Sequence, residues 1–371
     1  MTSNPPDELD ELIGFLADKR ADARAQAAEI VQGLTGSDDG TAQLVRKAET
    51  LVPKLLHLMG APTSESKPST TALVNLTASP DVATRAVEKG AVERAMEFLR
   101  AGAESDGCPP DLLLSLLANV TNTEGGVHVF SQDGKPLEGF FVTKLVQMLA
   151  ASEPKDAYDH AASVLTNVAR HPAGRRALLD PKRGLIFAAL PSMSPPASET
   201  RRCGVAAALR NCCVDEQSCA SLLAARGGAP AAAGDDDPSS PGASAAGLEI
   251  VRALLRPISG IEPAVERCDA VRQSCAEAVA SLAQSEIGRA ALGRCDAPAL
   301  VRAGYAAEEH AETCEAMERA AERFLACGMV PPEMQPPEGV QRVEVVDEGE
   351  EEQEEVVVQG GPRPLTLPDV D

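Results

Sequence analysis

The feature that most narrows what this chain can fold into is a short segment that it writes repeatedly. TALVNLTAS at residues 71–79 returns as LLANVTNT at 116–123, VLTNVARH at 164–171 and ALRNCCVD at 208–215. In each, an Asn stands between two apolar residues, one two positions before it and one just after. The pairs are Leu73 and Leu76 around Asn75, Leu117 and Val120 around Asn119, Leu165 and Val168 around Asn167, and Leu209 and Cys212 around Asn211. EIVQGLTG near Gly33 and AVASLAQS near Ser281 keep the apolar pair without the Asn. From slot to slot the steps are 42, 44, 48, 44 and 70 residues, and the long step contains a 21-residue insert, GGAPAAAGDDDPSSPGASAAG, at 227–247. A period of about 40 to 47 residues with helical apolar spacing belongs to armadillo or HEAT solenoids, whose units cannot bury an apolar face alone and therefore stack. The expected fold is all-α: an armadillo/HEAT-like right-handed superhelical solenoid with a disordered acidic C-terminal tail.

The array divides into N-terminal repeats at 1–226, the insert at 227–247, C-terminal repeats at 248–332 and the tail at 333–371. Residues 7–35 read as a capping repeat, because DELDELIGFLADKR and RADARAQAAEIVQGL both space apolar residues by three and four. Gly90 breaks one helix from the next, the Asn167 helix stops before His171-Pro172, and HAETCEAMERAAERFLACG closes the array near Gly328. Residues 127–141, with Asp133-Gly134 and Pro136, are expected to leave the helical pattern as a surface excursion, at most a short hairpin. The tail carries 12 acids against 2 Arg and has no helical periodicity, which reads as disorder.

A net charge of −22 excludes a general nucleic-acid or anionic-membrane binder, since both surfaces would repel it. Ten Cys without CxxC spacing point to a reduced compartment, and the chain shows neither a leader pattern nor an apolar run of membrane length, so a cytoplasmic location is expected. The triplets at Asn75 and Asn119 that match glycosylation acceptors are then incidental. With no Trp and two Tyr the core must be Leu, Ala, Val and Cys.

Two features are candidates for binding. An Asn amide offers a donor and an acceptor and can hold the backbone of an extended partner, so Asn75, Asn119, Asn167 and Asn211 could line a groove. The same amides could equally bond the backbone of the adjoining repeat and hold the superhelix. Between residues 170 and 210 lie Arg170, Arg175, Arg176, Lys182, Arg183, Arg201, Arg202 and Arg210 against Asp180 and Glu199, a net +6 within an acidic chain. That stretch could receive an acidic partner segment or the chain's own tail, or be a solvated face with cations at helix C-termini. Cys203, Cys212, Cys213 and Cys219 lack paired metal-ligand spacing and read as small hydrophobes. HExxH, GxSxG and GxGxxG do not occur, and DGKP at 133–136 is no phosphate loop. No cofactor, metal or catalytic constellation is expected.

ALVNLTASP, LLANVTNTEGG, VLTNVARHPAGR and RRCGVAAALRNCCVD, followed by RQSCAEAVASLAQSEIGRAAL, resemble the brain protein 16-like family of armadillo-like proteins. The likeness covers roughly residues 8–327; the insert and tail fall outside it, and RAGYAAEEHAE follows the family's end only loosely. The resemblance implies a non-enzymatic cytosolic chaperone, expected to act as a monomer, that binds eukaryotic translation elongation factor 2 and recruits the cytosolic chaperonin to it. It assigns no client-contact residues one by one. An armadillo-type transport adaptor is the alternative, but such grooves pair Asn with Trp around basic side chains, and this chain has no Trp. An enzyme is disfavoured by the missing motifs.

Overall fold

The local rule that builds this fold is a sharp corner repeated at fixed register. Four residues after each slot stands a helix N-cap: Ser37, Ser79, Thr123, His171, Asp215 and Ser285. Ser37, Thr123, Asp215 and Ser285 accept a hydrogen bond from the backbone N–H three residues on, which satisfies an otherwise orphaned donor of the first turn. Before Pro80 and Pro172 the ring supplies the helical φ instead. Three residues past the cap lies Gly40, Gly126, Gly174 or Gly288, each so close to the carbonyl of Leu34, Val120, Val168 or Leu282 that a Cβ would overlap it. The chain thus leaves one helix and enters the next with the two backbones in contact.

The computed structural model describes residues 7–101, 107–150, 157–224, 243–261 and 266–330. Among these it contains twenty α-helices and no strand. A leading pair, α1 (Glu8–Phe15) and α2 (Ala21–Leu34), is followed by six triads. They are α3 (Asp38–Arg46), α4 (Ala48–Leu58) and α5 (Thr63–Leu76); α6 (Pro80–Glu88), α7 (Ala91–Ala101) and α8 (Pro110–Val120); and α9 (Glu124–Ser131), α10 (Phe140–Ala150) and α11 (Ala161–Arg170). Next come α12 (Pro172–Leu178), α13 (Leu185–Ala189) and α14 (Glu199–Asn211); α15 (Glu216–Leu223), α16 (Ala245–Leu255) and α17 (Asp269–Leu282); and α18 (Glu286–Arg294), α19 (Ala297–Tyr305) and α20 (Ala311–Ala326). This is the all-α, armadillo-like solenoid expected from the repeat. The slot falls in the last turn of α2, α5, α8, α11, α14 and α17, and these third helices stack on one another in order, with α20 on α17.

The apolar residues flanking each slot are buried, except for the half-buried Leu34, and one continuous cluster runs from Ile13 in α1 to Phe324 in α20. Each fully buried Leu or Val in it is worth about 1.5 to 3 kcal/mol relative to exposure, which is why no triad would hold by itself. Cys212, Cys213, Cys219 and Cys275 belong to that core, and burial pushes the Cys212 thiol up to about 12.

Two expectations change. Residues 127–141 do not leave the helix at 127: α9 continues to Ser131, and only 132–139 form turns, with Gln132 at φ 54 and Gly139 N–H bonded to Ser131 O at 2.8 Å. The Thr123 cap and Gly126 corner start α9 well before the Asp133-Gly134 turn signal. The end of the insert is also folded. Ser244 N–H donates to Leu223 O at 2.9 Å and its hydroxyl caps α16 through Gly247 N–H, so residues 243–247 belong to the array. Residues 227–242 and the tail at 333–371, expected to be disordered, lie outside the described residues.

Gly125 and Gly126 give a test within one helix turn. Gly126→Ala places a methyl on the Val120 carbonyl and should lower unfolding free energy by about 1 to 3 kcal/mol. At Gly125 an added methyl would have nothing within 4 Å, so Gly125→Ala should stabilise by about 0.5 to 1 kcal/mol. Denaturant titration of the two variants checks the pair.

Candidate functional site

At the C-terminus of a helix four carbonyls have no intrahelical partner, and the turn that follows takes only some of them. After α5, Thr77 N–H bonds Leu73 O, Ala78 N–H bonds Asn75 O and Ser79 N–H bonds Leu76 O, which passes over Val74 O. After α8 the same pattern serves Leu117, Asn119 and Val120 and passes over Ala118 O. The Thr77 and Thr121 hydroxyls reach these carbonyls at 3.2 and 3.4 Å, and the next repeat supplies a closer donor. Asn119 Nδ2 donates to Val74 O at 2.8 Å and to Thr77 Oγ1 at 3.2 Å; Asn167 Nδ2 donates to Ala118 O at 2.8 Å and to Thr121 Oγ1 at 3.2 Å. Asn75 Nδ2 reaches Thr35 Oγ1 at 2.8 Å and Asn211 Nδ2 reaches Thr166 O at 3.1 Å. The Thr hydroxyls can accept because each gives its proton to its own helix: Thr35 to Gln32 O, Thr77 to Leu73 O and Thr121 to Leu117 O. A carbonyl can only accept, so the orientation of these amides follows from their partners.

The amide oxygens are left over. Among the described residues, Oδ1 of Asn75, Asn119 and Asn167 accepts no hydrogen bond. Asn119 and Asn167 line a groove of about 810 Å³ along α8, α11 and α14. Small residues keep it open: Ser115, Ala118, Ser163, Gly204 and Ala207. Gly204 also lets α14 approach α11, since a Cβ there would meet Ala162. Asn211 lies in a second groove of about 450 Å³ with Arg210, Glu277, Arg319 and Arg323, while Asn75 is exposed and lines neither. The first groove presents amide oxygens, hydroxyls and the Glu199 carboxylate on a shallow wall, acceptors suited to the N–H groups of an extended chain.

The basic stretch is dispersed by folding. Arg175 turns back onto the end of α11, bonding Ala169 O and Arg170 O, and also pairs with Asp215. Arg170 holds Asn122 Oδ1, and Arg176 pairs with Asp133 at the surface. Arg183 pairs with Asp180 and bonds Glu138 O. On α14, Arg201 pairs with Asp159, Arg202 with Glu266 and Arg210 with Glu277, joining three repeats through one helix.

Arg202 belongs to a set that the Asn spacing does not reveal. Nine residues before the slot, Arg24, Arg202 and Arg272 make bidentate pairs with Glu65, Glu266 and Glu308 of the following unit. Each also turns a guanidinium N–H onto a carbonyl near the start of its own helix. The signal in the sequence is an Arg at constant register, but only in three of six copies.

No helix among the described residues is long and apolar enough to cross a membrane. The fold and the Asn-lined groove define an armadillo-like repeat scaffold. Solved structures agree at the level of fold: "Designed armadillo repeat protein YIII(Dq)4CqI" superposes with a TM-score of 0.56 at 15% identity, covering 74% of this chain and 99% of that one. The related design "YIII(Dq.V1)4CPAF in complex with peptide (KR)4" has a TM-score of 0.56 at 14% identity, covering 74% and 99%. A structure described as "A conserved phosphorylation switch controls the interaction between cadherin and beta-catenin in vitro and in vivo" reaches 0.60 at 12% identity, covering 85% and 55%.

More particularly, residues 104–268 match the family "Domain of unknown function (DUF383)". The chain is similar to proteins named "Protein HGH1 homolog". That of Homo sapiens is 30% identical over 235 residues, 57% of this chain and 55% of the relative. Those of Xenopus tropicalis and Dictyostelium discoideum are 30% and 27% identical, over 55% and 56% of this chain and 56% and 59% of theirs. The chain thus matches somewhat more than half the length of these curated relatives. None of these names denotes an enzyme.

The Arg272–Glu308 pair gives a pH test. Hydrogen bonds from Arg272 hold the Glu308 carboxyl below the usual carboxylate range. A depressed folded pKa supplies stability that is present above the unfolded value near pH 4.3 and is lost as pH falls through the folded value. Glu308→Gln should therefore cost about 1 to 2 kcal/mol at pH 7 and flatten the loss of stability between about pH 5 and 3. Urea unfolding across that range measures both.

Proposed function

We propose that the chain is a non-enzymatic, monomeric armadillo-like adaptor of the cytoplasm that holds translation elongation factor 2 while it folds and bridges it to the cytosolic chaperonin. The observation that carries an adaptor role is the 810 Å³ groove, walled by small residues and by Asn119 and Asn167 with their amide oxygens uncommitted. Such a wall recognises backbone N–H groups rather than a particular side chain, as the holding of an incompletely folded segment requires. The named client rests on the sequence resemblance alone.

An armadillo-type peptide-binding transport adaptor or scaffold is the second reading. The fold-level likeness to a designed protein in complex with a (KR)4 peptide and the net charge of −22 favour it. Against it, the groove has no Trp to sandwich a basic side chain, because the chain has none.

Affinity purification of the tagged chain followed by mass spectrometry separates these. Elongation factor 2 and chaperonin subunits should dominate; importins or basic cargo would support the second reading instead. The groove is tested by filling it. Ser163→Trp and Ala207→Trp, both at half-buried positions on the wall, should weaken client binding at least about tenfold, about 1.4 kcal/mol. The thermal midpoint should stay near that of the wild type. Unchanged affinity in both variants would remove the groove from the mechanism.

A further inference from the structure

Cys203 Sγ lies 3.3 Å from Cys268 Sγ, although the residues are 65 apart in sequence and belong to different triads. Cys203 sits in the second turn of α14, and Cys268 is the residue immediately before α17. One helical turn before Cys203, Glu199 places a carboxylate oxygen so that it and the two sulfurs all lie within 4.8 Å of one another. Glu199 and Cys203 also line the large groove.

Two adjacent thiols are most simply small hydrophobes, and Cys212, Cys213 and Cys275 behave that way in the core. The Cys203–Cys268 pair differs in two respects. Both residues are only partly buried, and an exposed carboxylate faces them. Glu199 has no cationic partner among the described residues, although two Arg follow it closely. Arg201 is paired with Asp159 at 2.6 Å, and Arg202 is held bidentate by Glu266 at 2.8 and 3.1 Å. Two sulfurs and a carboxylate therefore converge beside an Arg202 guanidinium whose hydrogen bonds are already committed to Glu266.

We propose that Cys203, Cys268 and Glu199 form a binding site for a borderline-soft divalent metal ion, zinc fitting best, with the fourth position open to the groove. Two sulfurs select against magnesium and calcium, which take oxygen ligands, and for zinc and its chemical relatives. Tetrahedral zinc with bonds of about 2.3 Å sets its sulfurs about 3.8 Å apart, so side-chain rotation of roughly half an ångström accommodates the ion without moving either helix. As each zinc–sulfur bond forms, that thiol gives its proton to solvent, and no electron is transferred. The charge balances too: a carboxylate with two neutral thiols becomes a carboxylate, two thiolates and a dication, leaving the site at −1 in both states. Occupancy would clamp α14 to the start of α17.

Cobalt(II) added to the reduced full-length chain is the direct probe, because thiolate-to-cobalt charge-transfer and tetrahedral d–d bands report the ligands. One equivalent should bind with both band types, and zinc should displace it. Cys203→Ser and Cys268→Ser should each weaken binding at least about a hundredfold, and Glu199→Gln about tenfold. Cys327→Ser, at the exposed Cys, should change nothing. Circular dichroism confirms that each variant is folded, and Glu199 is exposed, so its substitution keeps the test open if a Cys variant unfolds. A reduced wild type without thiolate bands overturns the proposal. So do bands that survive both Cys substitutions, or a Glu199→Gln variant that binds as the wild type does.

Discussion

The stacking of this solenoid depends on a donor that one repeat lends to the next. A helix that ends in a tight turn leaves one carbonyl without a backbone donor, Val74 O after α5 and Ala118 O after α8; the Thr hydroxyl of the same turn reaches it at 3.2 and 3.4 Å, and the Asn amide of the following repeat supplies a shorter N–H bond at 2.8 Å. Such a bond is worth about 0.5 to 1.5 kcal/mol net, and it comes from a different repeat. Thr77 and Thr121 extend it by passing their own protons backward and accepting the same amide. Repeats held only by apolar contact could slide along one another; an amide that fits one carbonyl fixes the register.

The same geometry divides each Asn between two tasks. The nitrogen faces the preceding helix, which leaves the oxygen of Asn119 and Asn167 at the groove. The alternatives of groove-lining and inter-repeat bonding are therefore not exclusive for these residues. One half of the amide builds the wall and the other half is what the wall presents. The groove is acceptor-rich for the same reason, with Glu199 as its carboxylate, while the cations of the 170–210 stretch are used elsewhere, on helix ends and on acids of neighbouring repeats.

Much of the fold is legible in the sequence because repetition amplifies weak signals. Six apolar pairs at near-constant steps locate the third helix of each unit, and Gly90, His171-Pro172 and Gly328 mark true boundaries. The corner is equally periodic but easier to overlook: caps at Ser37, Thr123, Asp215 and Ser285 recur at the same register as the Asn, with Gly three residues after Ser37, Thr123 and Ser285. Residues 127–131 read wrongly from sequence because the turn signal at Asp133-Gly134 is stronger than the cap ten residues before it. The destination of each Arg is not legible, since an ion pair depends on which acid the neighbouring repeat brings near. The Cys203–Cys268 approach shares that cause: nothing periodic links the two positions, and only the stacking of α17 on α14 joins them.

The coupling between Asn119 and Thr77 is the most direct measure of the bond between repeats, because it isolates that bond from everything else either residue does. A double-mutant cycle of Asn119→Ala and Thr77→Val, followed by urea unfolding, reads the coupling as a departure from additivity. An interaction of about 0.5 to 1.5 kcal/mol is expected, with each single variant destabilised. Strictly additive effects, or an Asn119→Ala variant as stable as the wild type, would contradict a register set by the Asn amides.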